Sequence, residues 1–198
     1  FQSLRLGILT VLIAVPLGVS FAIGIDRWHG RPATAATFVM LLSFVMPEII
    51  LGISLFLVFR HLLTFVELGT TAQIIGLVTY QVSYPVIIVR ARLLTIGREY
   101  EEAASDLGAP PKQAIRRVLL PLLYPAIFAS AALVFADTID DFVTVKYLSG
   151  PATSEPLSVK IYNFSRAEPT PAVNAAATFL LVTTTLAIVI GYLAYRRA

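Results

Sequence analysis

Hydrophobic residues run along this 198-residue chain in five long blocks separated by short polar intervals. Residues 6–25 carry no charge and match the roughly 20 residues a helix needs to cross a hydrocarbon core. Pro16, Gly18 and Gly24 lie inside that block; they would be costly in a soluble helix but are tolerated in a packed membrane helix. The block has no polar face, which argues against a buried helix of a soluble domain. Residues 34–59 form a second block with one charge, Glu48, directly after Pro47. The third, 72–89, is uncharged, but Tyr80, Gln81, Ser83, Tyr84 and Pro85 interrupt it. Such polar atoms predict contact with protein or a cavity rather than lipid. The fourth, 118–136, has Pro121 and Pro125 in its first part and then meets Asp137, Asp140 and Asp141. The fifth, 172–195, ends in Arg196-Arg197.

The intervals read as connectors. Residues 26–31 form a short loop with an interfacial Trp28, 60–71 a polar connector, and 150–171 a loop rich in Pro, Ser and Thr. Residues 90–117 are expected to lie outside the membrane. The pattern predicts an all-α membrane protein, a single bundle of five transmembrane helices without an internal repeat.

Composition excludes the main alternatives. At 57% hydrophobic and 14% charged, the chain lacks the polar surface of a water-soluble domain. It has no cysteine, hence no disulfide framework and no thiolate metal site. His29 and His61 sit in different connectors, so no metal site is expected. The net charge of +3 could suggest nucleic acid, but the bilayer accounts for it better. Connectors alternate sides, and ten of the 15 basic residues fall on the side of Arg27, Arg98, Lys112 and Arg197, against five on the side of Arg5, Arg60 and Lys146. The positive-inside rule then places residues 98–121 and the C-terminus in the cytoplasm. The start at Phe1, without a methionine or a charged leader, predicts a truncated N-terminus.

Two groups of residues carry candidate chemistry. Pro47 frees a backbone carbonyl and can kink its helix, leaving Glu48 beside irregular backbone near mid-bilayer. A carboxylate there faces a protein interior or a water-filled cavity, or is protonated and bonded to a neighbouring helix. The other group is the polar stretch 98–121. Glu99, Glu101 and Glu102 occupy the first turn of a short helix, where carboxylates suit the helix dipole. Gly108 is placed to end that helix in a left-handed conformation. Ala109-Pro110-Pro111 makes a rigid turn, and Pro111 can open a second helix toward Val118. Small alanines let another protein approach the helix closely, as in a helix-in-groove contact. The competing reading is an amphipathic helix resting on headgroups, which the glutamates oppose because anionic lipid would repel them.

The spacing of Glu102-Ala103-Ala104, Gly108, Val118, Leu120 and Pro121 resembles the Glu-Ala-Ala loop of bacterial ABC importer permeases, the membrane subunits of binding-protein-dependent transporters. The family pattern has Ile where Val118 stands. The resemblance covers the whole chain and implies that Glu102, Ala103, Ala104 and Gly108 dock into a cytoplasmic ATPase, with Leu120 and Pro121 closing the motif. It also implies a second permease subunit, an extracytoplasmic binding protein, and six spans, of which the first would be missing here. No G-x-x-x-x-G-K-[ST] phosphate loop occurs, so ATP hydrolysis is expected from the partner; neither an enzyme nor a cofactor is expected in this chain.

Residues 47–55 and 137–142, with Leu148-Ser149-Gly150-Pro151 and Ile161-Tyr162, resemble the C-type subunit of the spermidine/putrescine branch. Branches carrying ferric iron, thiamine or phosphonate share parts of these stretches. Glu48, Asp137, Asp140 and Asp141 would offer carboxylates to a polyamine, and Tyr80 and Tyr84 could add cation–π contacts. Asp140 and Asp141 read equally as a solvated helix end or a contact to the binding protein. A secondary transporter, whose acids bind a coupling ion, is a further class. An intramembrane enzyme ranks last, because no Ser/His pair or H-E-x-x-H lies at membrane depth.

Overall fold

The computed structural model describes residues 1–27, 31–150, 154–167 and 171–197. Trp28, His29 and Pro151, named above, lie outside the described residues. Within them the chain forms helices and no strands.

The first block becomes helix α1 (Gln2–Arg27). Its apolar sequence hides a regular buried stripe through Leu6, Thr10, Ala14, Val15, Gly18, Ala22 and Ile25, the repeat of a helix seated on neighbours. Those neighbours are α4 (Thr70–Gln81), α5 (Ser83–Ile96) and α8 (Leu120–Asp140). The main core joins Ala14, Val19 and Ala22 of α1 to Val89 and Leu93 of α5 and to Leu123, Ala126 and Val134 of α8. At Gly18 a Cβ would stand 2.4 Å from Pro85 Cγ and 2.9 Å from the Val82 carbonyl, so only glycine permits this approach.

The second block is not one straight span. It divides into α2 (Arg31–Val45) and α3 (Glu48–His61), bent by 108°. Pro47 has no N–H to continue the ladder, and its ψ of 132° turns the chain. Its carbonyl accepts from the Ile50 and Leu51 N–H groups at 3.0 and 3.1 Å, starting the new helix. That helix lies on α9 (Val143–Tyr147), with Gly52 against the Tyr147 ring.

The other spans run past the limits set by their first charges. α4 and α5 together form a 27-residue span, Thr70–Ile96, so Arg90 and Arg92 belong to the helix rather than to a connector. Arg90 Nη1 donates to Thr37 Oγ1 at 2.9 Å, and Arg92 Nε to the Leu122 carbonyl at 3.5 Å. The run Pro111–Asp140 joins α7 (Pro111–Ala114), a π-helical turn (Ile115–Leu119) and α8. In the π turn the Leu120 N–H reaches the Ile115 carbonyl, because Pro121 offers no N–H to the Arg117 carbonyl one turn back.

The expected 150–171 loop contains an amphipathic helix, α10 (Leu157–Ala167). Helix α11 (Pro171–Arg197) packs along α8 and leaves most of its surface uncovered. Four helical runs among the described residues are long and apolar enough to cross a membrane; counting the bent pair as one span makes five.

Candidate functional site

The acidic residues at the end of α8 lie within electrostatic reach of one another and of Glu48, but their surroundings differ. Asp141 is buried, and its carboxylate is fully engaged inside the chain. Tyr80 OH donates to its Oδ2 at 2.6 Å, and the Val145 N–H donates to its Oδ1 at 3.0 Å. Its carbonyl accepts from Ser158 Oγ at 2.7 Å. Asp141 thus ties α4, the start of α9 and α10 together.

Asp137, one turn earlier, is half-buried. It accepts from Tyr84 OH at 3.3 Å. Tyr84 also meets the edge of Phe44 at 5.4 Å between centroids, which brings the end of α2 to this place. The break at Pro47 leaves Glu48 exposed at the first position of α3, near enough to couple electrostatically with Tyr84 and Asp137. Glu48, Tyr84 and Asp137 therefore form a group contributed by α3, α5 and α8. Asp140 faces elsewhere. It is exposed at a cavity of about 430 Å³ that Ser158, Tyr162, Leu181 and Thr184 also line.

The polar stretch builds a compact excursion from the bundle. Gly97, at φ +72°, ends α5, and α6 (Glu99–Asp106) follows with no buried residue. Glu102 and Ala103 are exposed, whereas Ala104 is half-covered. The helix closes in a Schellman motif: the Gly108 N–H reaches the Ser105 carbonyl at 2.8 Å, and the Ala109 N–H reaches the Ala104 carbonyl at 3.0 Å. This requires the left-handed conformation that Gly108 adopts, at φ +81°. Ala104, Leu107 and Gly108 face Ala114, Arg117 and Val118 across a cavity of about 310 Å³. Leu107 is 90% exposed, an apolar side chain with nothing of this chain to cover it. Leu120 and Pro121 stand apart from that face. Leu120 packs against the main core, and Pro121 is exposed at the start of α8.

Three features escape sequence reasoning. Gln73, fully buried, places its Nε2 within 3.0–3.1 Å of the Val145 carbonyl, Ser149 Oγ and the Ser154 carbonyl. Its Oε1 accepts from Gln2 Nε2 at 3.2 Å. One amide thus joins α4 to α1, α9 and the segment after it; a Gln near the start of an uncharged block is the available signal. The second is a layer of rings and cations, with Phe142 and Tyr162 at 4.4 Å between centroids. Lys146 lies 5.6 Å and Arg166 4.9 Å from the Tyr162 centroid. The third is an ion pair between Arg27 Nη2 and Glu101 Oε1 that fastens α6 to the last residue of α1. Among the described residues no His, Asp or Glu side chains group as metal ligands.

The chain has relatives and structural counterparts among known proteins. The spermidine/putrescine transport system permease protein PotC of Escherichia coli (strain K12) is 30% identical over 195 residues, 98% of this chain and 73% of PotC. The putrescine transport system permease protein PotI of the same strain is 31% identical over 184 residues, 90% of this chain and 65% of PotI. A crystal structure of a bacterial ABC transporter involved in the import of the acidic polysaccharide alginate superposes with a TM-score of 0.79 at 19% identity. That superposition covers 99% of this chain and 77% of the other and concerns the fold alone. Residues 14–198 match the profile of one family, and with the relatives and the shared fold this settles membership: the chain belongs to the binding-protein-dependent transport system inner membrane components, the permeases of ABC importers.

Proposed function

We propose that this chain is a transmembrane subunit of an ATP-driven importer for polyamines such as spermidine and putrescine, and that α6 is its ATPase-docking element. The observation that carries the docking reading is an eight-residue helix with no fully buried residue, held in shape by its Schellman end. A helix this short and this lightly covered is marginal alone, and here it presents Glu102, Ala103 and Leu107 outward, with Ala104 half-covered beside them. In this reading it sits in a cleft of a cytoplasmic ATPase, and closure of the ATPase pair moves α6 and the attached spans. Leu120 and Pro121 act as the fixed base of the excursion. The excess of basic residues on this side supports a cytoplasmic loop and C-terminus.

The cargo reading rests on the relatives PotC and PotI and on the Glu48–Tyr84–Asp137 group. A polyamine leaving water needs carboxylate partners and gains from an aromatic face, and these three residues supply both. Asp141 and Tyr80 use their polar atoms on each other, so their part is to hold the group's framework. Asp140, beside α10, belongs to the outer mouth, where cargo would arrive from an extracytoplasmic binding protein. The uncovered faces of α2, α3 and α11 suit lipid and a second permease subunit. The test is uptake of labelled spermidine by proteoliposomes holding the whole complex. Uptake should require internal ATP, persist with a protonophore, and fall when Asp137→Asn or Glu48→Gln is introduced. Uptake that survives ATP depletion would overturn the importer reading, and unchanged spermidine uptake in both variants would overturn the polyamine site.

A further inference from the structure

We infer that the ion pair between Arg27 and Glu101 is a positioning clasp of the transport cycle, delivering displacement of α6 directly to α1. This rests on the reading of α6 as the docking helix. No residue of α6 is fully buried, and glycines with positive φ stand at both of its ends, so packing within the chain holds its direction only lightly. Along the backbone it is attached to α5 through Gly97 and to α8 through the 109–119 segment. The contacts in its first turn go instead to α1. Arg27 Nη2 meets Glu101 Oε1, and Arg98 Nη2 donates to the Asp26 carbonyl at 2.9 Å.

The charges are placed where the helices favour them. Arg27 closes α1, whose C-terminal end attracts a cation, and Glu101 lies in the first turn of α6, whose N-terminal end attracts an anion. The Glu101 side chain is only 16% exposed, whereas neighbouring Glu102 is exposed. Adjacent helix positions point about 100° apart. The two glutamates thus divide two tasks, Glu102 outward to the partner and Glu101 inward to α1. What α1 receives, it passes on, because it is the helix that α4, α5 and α8 all contact, and Gly18 seats it directly on Pro85.

The experiment compares Arg27→Glu, Glu101→Arg and the double exchange in the complete complex, with its ATPase subunits and binding protein, in proteoliposomes. ATPase co-purification, ATP hydrolysis and uptake of labelled spermidine are read together. Each single reversal should keep the ATPase bound and hydrolysing within about twofold, lower uptake about tenfold, and recover most of it in the double exchange, the signature of a direct pair. Retained ATPase with unchanged uptake in the single variants would overturn the clasp alone. So would a double exchange no better than either single. A wild-type chain that captures no ATPase would overturn the docking reading and the clasp with it.

Discussion

Asp137 and Asp141 lie one turn apart on the sequence of α8, yet their surroundings assign them opposite consequences when changed. Asp141→Ala strands a buried tyrosine hydroxyl and a backbone N–H, each costing about 1–3 kcal/mol when left unpaired. It should lower thermal stability in detergent, read as an earlier unfolding midpoint. Asp137→Asn keeps shape and hydrogen bonding, so stability should hold while spermidine uptake falls. A stable Asp141→Ala variant would show that the Tyr80 contact is dispensable. Gly108 gives a second contrast. A built Cβ meets nothing within 4 Å, so any penalty there comes from φ +81° alone. Gly108→Val should cost about 1–2 kcal/mol of loop stability and weaken ATPase co-purification, whereas Gly108→Asn, which enters that region readily, should retain it. Equal behaviour of the two variants would remove the Schellman end from the explanation. At this scale the sequence showed which residues are acidic and where glycine sits. It did not show which carboxylate is already occupied, since the Tyr80 hydroxyl that donates to Asp141 comes from a segment 61 residues earlier.

Spans were legible as elements because a bilayer needs about 20 apolar residues in a row, and a chain of this composition can satisfy that in few ways. Their ends were not. Hydropathy stops at the first charge, but Arg90 and Arg92 find Thr37 and the Leu122 carbonyl and remain in the helix. The length of the 34–59 block allows one span. Pro47 permits a break without requiring one, and the deciding contact is with α9, nearly a hundred residues on. Gly52→Leu tests that contact. A Cβ at Gly52 already approaches Tyr147 Cδ2 at 3.0 Å, so a branched side chain should displace α3 and destabilise the protein by about 1–3 kcal/mol. Gly52→Ala should be milder, and equal midpoints for wild type and Gly52→Leu in thermal unfolding would disprove the packing role. The legible part of α6 was its local chemistry, from the first-turn glutamates to Gly108. The Arg27 contact was not legible, because it depends on where α1 ends.

Seen whole, the molecule is a core of α1, α4, α5 and α8 carrying weakly covered outer helices. Large side chains such as Phe38, Phe44, Ile49, Phe179 and Ile190 are exposed, an apolar surface that suits acyl chains and a second subunit rather than water. Sidedness belongs to this scale and is directly measurable, because the chain has no cysteine of its own. A membrane-impermeant maleimide should label Ser105→Cys in α6 only from the cytoplasmic side and Ser165→Cys in α10 only from the opposite side. Labelling of both from one side would overturn the orientation.

The π turn at Ile115–Leu119 has a genetic consequence. It accommodates one residue more per turn than the helix around it, so the stretch is the natural place for a length change to be absorbed. Deleting a single residue there would restore an ordinary α turn and leave both α8 and the segment before it in register, because the π turn already holds the extra residue. Elsewhere in a span the same loss turns one side of the helix by about 100° against its neighbours. In-frame single-codon losses at Ile115–Leu119 should therefore leave protein abundance and uptake closer to wild type than losses elsewhere in a span.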